Sequence, residues 1–231
     1  MERFKCILFD LDGTLVTTGG AGVRALIRSF GALFGIAGAM EGINPAGKTD
    51  PMIIREIFSE RLGRGCKDGE MEAVQEKYLE ILSDECEQAP DYRVIQGIPE
   101  LLGELKDMKI LTGLGTGNLE RGARTKLARA GLNPFFPFGG FGSDSEQRYK
   151  LLEIAVRKAE RHAGIPLRAE EILIVGDTEL DILAARQAGL SVIAVATGGT
   201  SAETLLAHKP DFFLPHFENR KEFVRIVRDG H

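Results

Sequence analysis

The stretch CILFDLDGTL at residues 6–15 joins a short apolar run to two closely spaced acids. The apolar run is continuous rather than alternating, which is typical of a strand that is covered on both faces. Asp10 and Asp12 follow it directly, and Gly13 permits a sharp turn after them. Ligands of α/β proteins bind at the carboxyl ends of the strands. The stretch therefore predicts a buried strand that delivers two carboxylates to a binding edge.

Further apolar runs predict more strands of the same sheet, and helical patterns lie between them. One helix has Pro99 at a favourable first position. From residue 95 onward strand and helix alternate, which predicts βαβ units and an α/β fold with a Rossmann-like parallel sheet. Besides the first run, the predicted strands are residues 110–114, 172–175, 192–196 and 212–214, and the predicted helices are 98–107, 118–130, 149–163, 179–188 and 217–228.

The stretch from residue 16 to residue 92 shows no convincing strand. Its clearest pattern includes Val74 and Tyr78, apolar positions spaced as on one face of a helix, and predicts core packing. A connection of about seventy residues is far longer than an ordinary crossover between parallel strands. We therefore predict an all-helical domain at 16–92, inserted into an α/β core that comprises 1–15 and 93–231.

The composition excludes several classes of protein. Of 231 residues 43% are apolar and 27% are charged, and 29 basic against 34 acidic residues give a formal net charge of −5. This is a globular composition, which excludes a disordered or collagen-like chain. An acidic chain without a long basic run lacks the positive field that nucleic acids and anionic membranes require. A small anionic substrate is compatible with it, because two or three local groups suffice to bind one.

The cysteines and the apolar segments indicate where the protein works. Cys6, Cys66 and Cys86 are odd in number and lack C-x-x-C spacing, so that neither a disulfide framework nor a thiolate metal site is predicted. No signal sequence or apolar run of membrane length is recognisable. We expect a cytoplasmic protein with reduced thiols.

A second pair of acids, Asp177 and Asp181, follows the predicted strand at 172–175. If the sheet is parallel, these acids meet Asp10 and Asp12 at one edge. Crowded carboxylates repel one another and raise their own pKa values unless a cation compensates. Mg²⁺ prefers oxygen ligands and is the natural compensating ion. The four acids therefore predict a magnesium site.

The complementary chemistry lies at the end of another predicted strand. Thr116, Gly117 and Asn118 offer a hydroxyl, backbone N–H groups and a helix start, which together form an anion-binding concavity. Arg148 and Lys150 begin a later helix, and either can bring a positive charge to the same anion. A metal site, an anion site and a carboxylate nucleophile are the requirements of phosphoryl transfer.

Four motifs in this order resemble those of the haloacid dehalogenase superfamily. They are Asp10-x-Asp12-Gly13-Thr14-Leu15, Thr116-Gly117-Asn118, a basic residue, and Gly176-Asp177-Thr178-Glu179-Leu180-Asp181. The resemblance extends over nearly the whole chain, and the helical insert is similar to the cap of the phosphoglycolate phosphatase and β-phosphoglucomutase group. It implies a Mg²⁺-dependent phosphatase that acts on a small phosphorylated metabolite, such as phosphoglycolate or a sugar phosphate.

The resemblance also implies roles for the acids. Asp10 would attack phosphorus and form an aspartyl-phosphate, while Asp12 would protonate the leaving alkoxide and later accept a proton from water. Mg²⁺ would be held by the Asp10 carboxylate, the Asp12 backbone carbonyl and Asp177. Asp181 would bind the metal through a water molecule or would orient the residues that bind it.

Thr116 would bind a phosphate oxygen together with the backbone N–H groups of Gly117 or Asn118, and the basic residue would neutralise charge in the transition state. The family usually has lysine followed by proline at the basic position, where this chain has Arg148-Tyr149-Lys150-Leu151. Counting back from the last motif favours Lys150, whereas the preceding residues resemble relatives that use arginine. Both are therefore candidates.

Other functions are compatible with parts of this pattern. A phosphomutase would use the same aspartyl-phosphate but return the phosphate to a sugar. A 2-haloacid dehalogenase dispenses with the second aspartate and the metal, so Asp12 and Asp177 argue against it. A phosphate-binding module without turnover is disfavoured by the intact set of carboxylates.

Residues 42–49, GINPAGKT, match the phosphate-loop pattern of nucleotide hydrolases. That motif requires a buried strand before it and a helix that begins at its lysine. Residues 35–40 are instead rich in alanine and glycine, and Pro51 follows soon after. We interpret the match as accidental. Lys48 would then lie in a cap loop, either recognising the anionic end of the substrate or solvated at the start of the next helix.

Overall fold

A parallel sheet of six strands forms the centre of the structure, a computed structural model that describes residues 2–230. The strands are β1 (Cys6–Phe9), β2 (Val16–Thr18), β3 (Tyr92–Val94), β4 (Leu111–Thr116), β5 (Gly139–Phe141), β6 (Ile172–Gly176), β7 (Ser191–Val195) and β8 (Phe212–Leu214). The large sheet has the order β5-β4-β1-β6-β7-β8, and every neighbouring pair is parallel. The predicted α/β fold with a Rossmann-like core is confirmed.

Helices connect the strands of the sheet. They are α1 (Ala21–Phe34), α2 (Asp50–Leu62), α3 (Glu70–Gln88), α4 (Ile98–Asp107), α5 (Glu120–Ala128), α6 (Arg148–Ala163), α7 (Glu179–Gln187), α8 (Ala202–Ala207) and α9 (Arg220–Asp229). Within residues 2–230, none of them combines the length and the apolar character that crossing a bilayer requires.

Strand β1 lies between β4 and β6, and its side chains alternate between two apolar cores. Ile7 and Phe9 pack into the core on one face of the sheet, whereas Cys6 and Leu8 pack into the core on the other face. Phe9 is level with Leu114 of β4 and with Val175 of β6. The residues that follow these three strands therefore meet at one carboxyl edge.

The five predicted strands and five predicted helices of the core are present, with ends shifted by at most a few residues. Strand β5 and helix α8 were not predicted. The sequence of β5 is Gly-Gly-Phe, which lacks the apolar run that identifies a buried strand. A side chain at Gly140 would collide with the backbone of Leu151 in α6, so this strand needs glycine where the helix packs against it.

Helices α1 to α3 form a helical segment, residues 21–88, that has its own apolar core. Val74 and Tyr78 are buried in it, as the helical spacing predicts, and the rings of Phe30 and Phe58 meet edge to face with centroids 5.3 Å apart. The expectation of no strand between residues 16 and 92 is wrong. Strands β2 and β3 pair antiparallel at the two ends of the segment, and each has only three residues, too few for a periodic pattern.

The loop that precedes α2 touches the carboxyl edge of the sheet. The backbone N–H of Asp50 donates to the carbonyl of Gly117 at 2.8 Å, and the N–H of Leu119 donates to the Asp50 carboxylate at 2.8 Å. A side chain at position 117 would collide with the carbonyl of Lys48, so the close approach requires glycine. The helical segment therefore covers part of the edge at which the strands end.

Candidate active site

Three buried aspartates meet at the carboxyl edge of the sheet. Asp10 follows β1, Asp177 follows β6, and Asp181 lies in the first turn of α7. Their carboxylate oxygens lie within 4.8 Å of one another. The structure therefore brings together three of the four acids that the sequence analysis assigns to a metal site. We call this group the acidic cluster.

Two threonines orient the acidic cluster. The hydroxyl of Thr14 donates to Asp177 Oδ1 at 3.0 Å. Thr178 donates to Asp181 Oδ2 twice, from its backbone N–H at 3.0 Å and from its hydroxyl at 2.7 Å. The first of these bonds and the bond from the Asp181 N–H to the Thr178 hydroxyl at 3.3 Å form a capping box at the start of α7. Neither threonine carries a charge, so these bonds fix the carboxylates without neutralising them.

Arg148, and not Lys150, reaches the acidic cluster. The guanidinium of Arg148 donates to Asp10 Oδ1 at 3.1 Å and also to Asp181 Oδ1, and its side chain is 10% exposed. Lys150 is exposed two residues further along α6, and its ammonium lies 5.9 Å from the centroid of the Tyr149 ring. A position two residues on along a helix faces away, which explains why only one of the two candidates can reach the site.

The acidic cluster and Arg148 carry an unbalanced charge. Three carboxylates and one guanidinium have a formal charge of −2. Burial, and then repulsion by Asp181, raise the pKa of Asp10 to about 7. Burial, and then repulsion by Asp10, raise the pKa of Asp177 to about 8. Three oxygen donors and a residual charge of −2 fit a divalent cation that prefers oxygen ligands.

Asp12 lies at the same edge, but its side chain is outside the acidic cluster. Its Oδ2 accepts from the Lys126 ammonium at 2.6 Å and from the Asn118 amide at 2.9 Å. The four acids therefore lie at one edge of the sheet, and the carboxylates of three of them form the acidic cluster. The backbone carbonyl of Asp12, rather than its side chain, is the atom that the family resemblance assigns to the metal.

Lys126 was not found by sequence analysis. Its side chain is 6% exposed, and it shares the buried face of α5 with Ala123 and Leu127. Burial lowers the pKa of its ammonium, but the charges of Asp12 and Asp50 outweigh this effect and raise it above its ordinary value. A lysine in register with the apolar positions of a helix was the available signal, because lysine is seldom buried without a partner.

The predicted anion-binding turn lies beside Asp12. The amide of Asn118 donates to the Thr116 hydroxyl at 2.9 Å, and both residues are buried. Together with Gly117 they line a cavity of about 500 Å³. The same cavity is lined by Asp10, Asp12, Asp177, Lys126 and Arg148 from the core and by Lys48, Asp50 and Tyr78 from the helical segment.

Lys48 lines this cavity from the loop that precedes α2. Its ammonium is bound to Glu56 at 2.5 Å. Residues 35–49 contain no strand, and α2 begins after Thr49, so the strand–loop–helix arrangement of a nucleotide phosphate loop is absent there. The interpretation of residues 42–49 as an accidental match agrees with this structure.

The acidic cluster, the predicted anion-binding turn and Arg148 meet at the carboxyl edge of a parallel sheet, which is where α/β enzymes bind their ligands. Residues 4–189 match the model of the family described as haloacid dehalogenase-like hydrolases. The chain belongs to this family, which confirms the resemblance seen in its motifs. Its class of enzyme is that of the phosphoric monoester hydrolases.

Relatives of this chain span nearly its full length. It is 27% identical over 234 residues to "Putative pyrophosphatase PpaX" of Caldanaerobacter subterraneus subsp. tengcongensis, covering 98% of this chain and 96% of the relative. It is 26% identical over 216 residues to the phosphoglycolate phosphatase of Synechococcus elongatus, covering 91% and 92%. CbbY from Rhodobacter sphaeroides, solved in complex with phosphate, shares the fold with a TM-score of 0.74 at 19% identity, covering 94% and 96%.

The raised pKa values predict how stability depends on pH. Between about pH 4 and pH 8 the folded, metal-free protein binds more protons at Asp10 and Asp177 than the unfolded chain does. Their contribution to the free energy of unfolding therefore falls as the pH rises through this window. Asp177→Asn removes one of the two groups. In EDTA, raising the pH from 5.5 to 8 should therefore lower the melting temperature of the wild type more than that of Asp177→Asn. The difference between the two melting temperatures, variant minus wild type, should increase by several degrees. Parallel pH profiles for the two proteins would contradict this account.

Proposed function

We propose that the protein is a Mg²⁺-dependent phosphatase that hydrolyses a small phosphorylated metabolite through an aspartyl-phosphate, with phosphoglycolate as the first candidate. The observation that carries the proposal is the acidic cluster with its residual charge of −2 beside an anion-binding turn. A divalent cation in the cluster would neutralise this charge and allow a phosphate ester to approach the carboxylates.

Asp10 is the proposed nucleophile. It is buried at the end of β1, and the Arg148 guanidinium binds its Oδ1 at 3.1 Å. This bond orients the carboxylate and places a positive charge where the transferred phosphoryl group gains negative charge. Attack by a carboxylate oxygen on phosphorus forms the new O–P bond while the bond to the leaving alcohol breaks.

Asp12 is the proposed acid and base. It transfers a proton to the leaving alkoxide in the first half-reaction and accepts one from the water that hydrolyses the aspartyl-phosphate. The Thr116 hydroxyl and the backbone N–H groups of Gly117 and Asn118 bind the phosphate oxygens. All four residues line the same cavity as Asp10.

Asp10, Asp177 and the Asp12 backbone carbonyl are the proposed ligands of Mg²⁺, with Asp181 as a further ligand or as support. When bound, the ion supplies charge neutralisation for the phosphate and for the crowded carboxylates. Asp177 needs it most, because its only hydrogen-bond donor from a side chain within the described chain is the uncharged Thr14 hydroxyl.

The helical segment is the proposed cap, with residues 16–92 as its extent. The bonds from Asp50 to Gly117 and Leu119 hold it over the anion-binding turn. Opening of these contacts would admit substrate, and closing would exclude water while the aspartyl-phosphate forms. A cavity of about 500 Å³ suits a substrate of metabolite size.

The nature of the substrate is inferred from Lys48, a basic residue that the proposed cap contributes to the cavity. Lys48 reaches the cavity from the cap, and we propose that it binds an anionic group at the far end of the substrate. Phosphoglycolate has such a group in its carboxylate, and a relative in Synechococcus elongatus is named for this substrate. The relative named as a pyrophosphatase makes pyrophosphate the second compound to assay, since its leaving group is also an anion.

Replacement of Asp10 tests the covalent intermediate. Asp10→Asn keeps the shape of the side chain but removes the nucleophilic oxygen charge, so turnover should fall at least about a thousandfold. After a rapid acid quench of a reaction with ³²P-labelled substrate, the wild type should retain label and the variant should not. Asp107→Asn, at an exposed position of α4, is the matched control and should retain label. Undiminished hydrolysis by Asp10→Asn would exclude the mechanism.

Removal of the metal tests the cofactor. EDTA should abolish turnover, and added Mg²⁺ should restore it, because the carboxylates alone repel the substrate. Asp177→Asn should require a higher Mg²⁺ concentration for half-maximal activity than the wild type. A phosphatase that is fully active after exhaustive chelation would contradict the metal site.

Replacement of Lys48 tests substrate recognition. Lys48→Met should raise KM for phosphoglycolate about tenfold, the effect of losing a charge-assisted hydrogen bond, while KM for 2-hydroxyethyl phosphate changes less than about twofold. Glu56→Gln is the matched control, because it frees Lys48 from its ion pair and should lower KM for phosphoglycolate. Equal changes in KM for both esters would show that Lys48 does not recognise the carboxylate of phosphoglycolate.

A further inference from the structure

Lys126 is a buried cation outside the four motifs of the sequence. It lies in α5, and its ammonium has one carboxylate partner within hydrogen-bond distance in the described part of the chain, which is Asp12. Burying a lysine is costly unless its charge is matched. A solvated residue in its place would avoid this cost, so the position calls for a function that the ion pair with Asp12 provides.

Two donors converge on one oxygen of Asp12. Lys126 Nζ lies 2.6 Å from Oδ2, and Asn118 Nδ2 lies 2.9 Å from the same atom. Lys126 also donates to Asn118 Oδ1 at 2.6 Å, which closes a triangle of three side chains. A carboxylate held by two donors on one oxygen, where the donors also hold each other, has little freedom to rotate.

The other oxygen of Asp12 is left for the substrate. Oδ1 has no hydrogen-bond partner among residues 2–230. The Asp12 side chain is 42% exposed and lines the cavity, so this oxygen is accessible to a substrate. Asn118 also donates to the Thr116 hydroxyl at 2.9 Å. The triangle is therefore tied to the anion-binding turn, which fixes Oδ1 relative to the place where the phosphate would bind.

We propose that Lys126 is a positioning residue that, with Asn118, holds Asp12 Oδ2 so that Oδ1 delivers the proton to the leaving group. The inference rests on the proposed function, in which Asp12 is the acid. As the bond between phosphorus and the leaving oxygen breaks, the proton moves from Oδ1 to that oxygen and the negative charge stays on Asp12. The Lys126 ammonium at 2.6 Å stabilises that charge where it forms.

Substrates with different leaving groups distinguish a positioning role of Lys126 from a merely structural one. An alkoxide is a poor leaving group and needs the proton, whereas a nitrophenolate leaves without it. A variant that misplaces Asp12 therefore harms hydrolysis of an alkyl phosphate far more than hydrolysis of an aryl phosphate. A variant that only loosens the fold harms both equally.

The experiment compares kcat/KM, which reports the first half-reaction, for 2-hydroxyethyl phosphate and p-nitrophenyl phosphate in Mg²⁺. Lys126→Met keeps an unbranched apolar side chain and removes the charge. It should lower kcat/KM of the alkyl ester about 30-fold to 100-fold and that of the aryl ester less than about threefold. Lys106→Met, at an exposed position of α4, is the matched control and should change neither. Equal losses for the two esters, or no loss for either, would overturn the inference.

Lys126→Met leaves Asp12 without its cation and could therefore misfold. A second comparison keeps the inference testable in that case. The double variant Asp12→Asn with Lys126→Met removes both charges, and it should match Asp12→Asn alone for both esters, because a positioning residue has no effect once its acid is gone. A further loss in the double variant would overturn the inference. Absence of hydrolysis by the wild type would overturn the proposed function itself, whereas equal losses in an active enzyme overturn only the role of Lys126.

Discussion

Three carboxylates buried within 4.8 Å of one another cannot all be ionised without a compensating charge, and this constraint governs the rest of the site. The sheet topology imposes it, since β1 and β6 are neighbours and end at the same level. Arg148 supplies one positive charge, and a divalent cation would supply the other two. The crowding around Asp177 also constrains the turn at residue 13. Gly13 has a φ of +83° and lies so close to Asp177 that no side chain would fit there.

The ion pair between Lys126 and Asp12 gives Asp12 an environment that differs from that of Asp10, two residues earlier in the chain. Asp10 is buried in the acidic cluster, whereas Asp12 is partly exposed and is held by Lys126. Different environments give two like side chains different chemistry, as the proposed roles of Asp10 as nucleophile and of Asp12 as acid and base require. The helical segment unites both sites in one cavity, because Tyr78 and Asp50 lie over the same edge.

The sequence predicted the parts of the fold that depend on local pattern. Continuous apolar runs identified β1, β4, β6, β7 and β8, and the acids that follow β1 and β6 were expected at one edge for that reason. Strand β5 was missed because its glycines are dictated by the packing of α6, and β2 and β3 were missed because three-residue strands have no pattern. The choice between Arg148 and Lys150 depended on the register of α6, and the partner of Lys126 is 114 residues away in the chain. Such contacts are properties of the tertiary structure.

The charge of the acidic cluster is the central property of the proposed site, and calorimetry of Mg²⁺ binding tests it most directly. We expect the wild type to bind about one Mg²⁺ per chain at pH 7 and to release about one proton on binding, detected as a dependence of the heat on the ionisation enthalpy of the buffer. The release follows from the raised pKa values of Asp10 and Asp177, whose protons the cation displaces. No binding at pH 7 or above, or binding without proton release, would contradict the proposed charge balance.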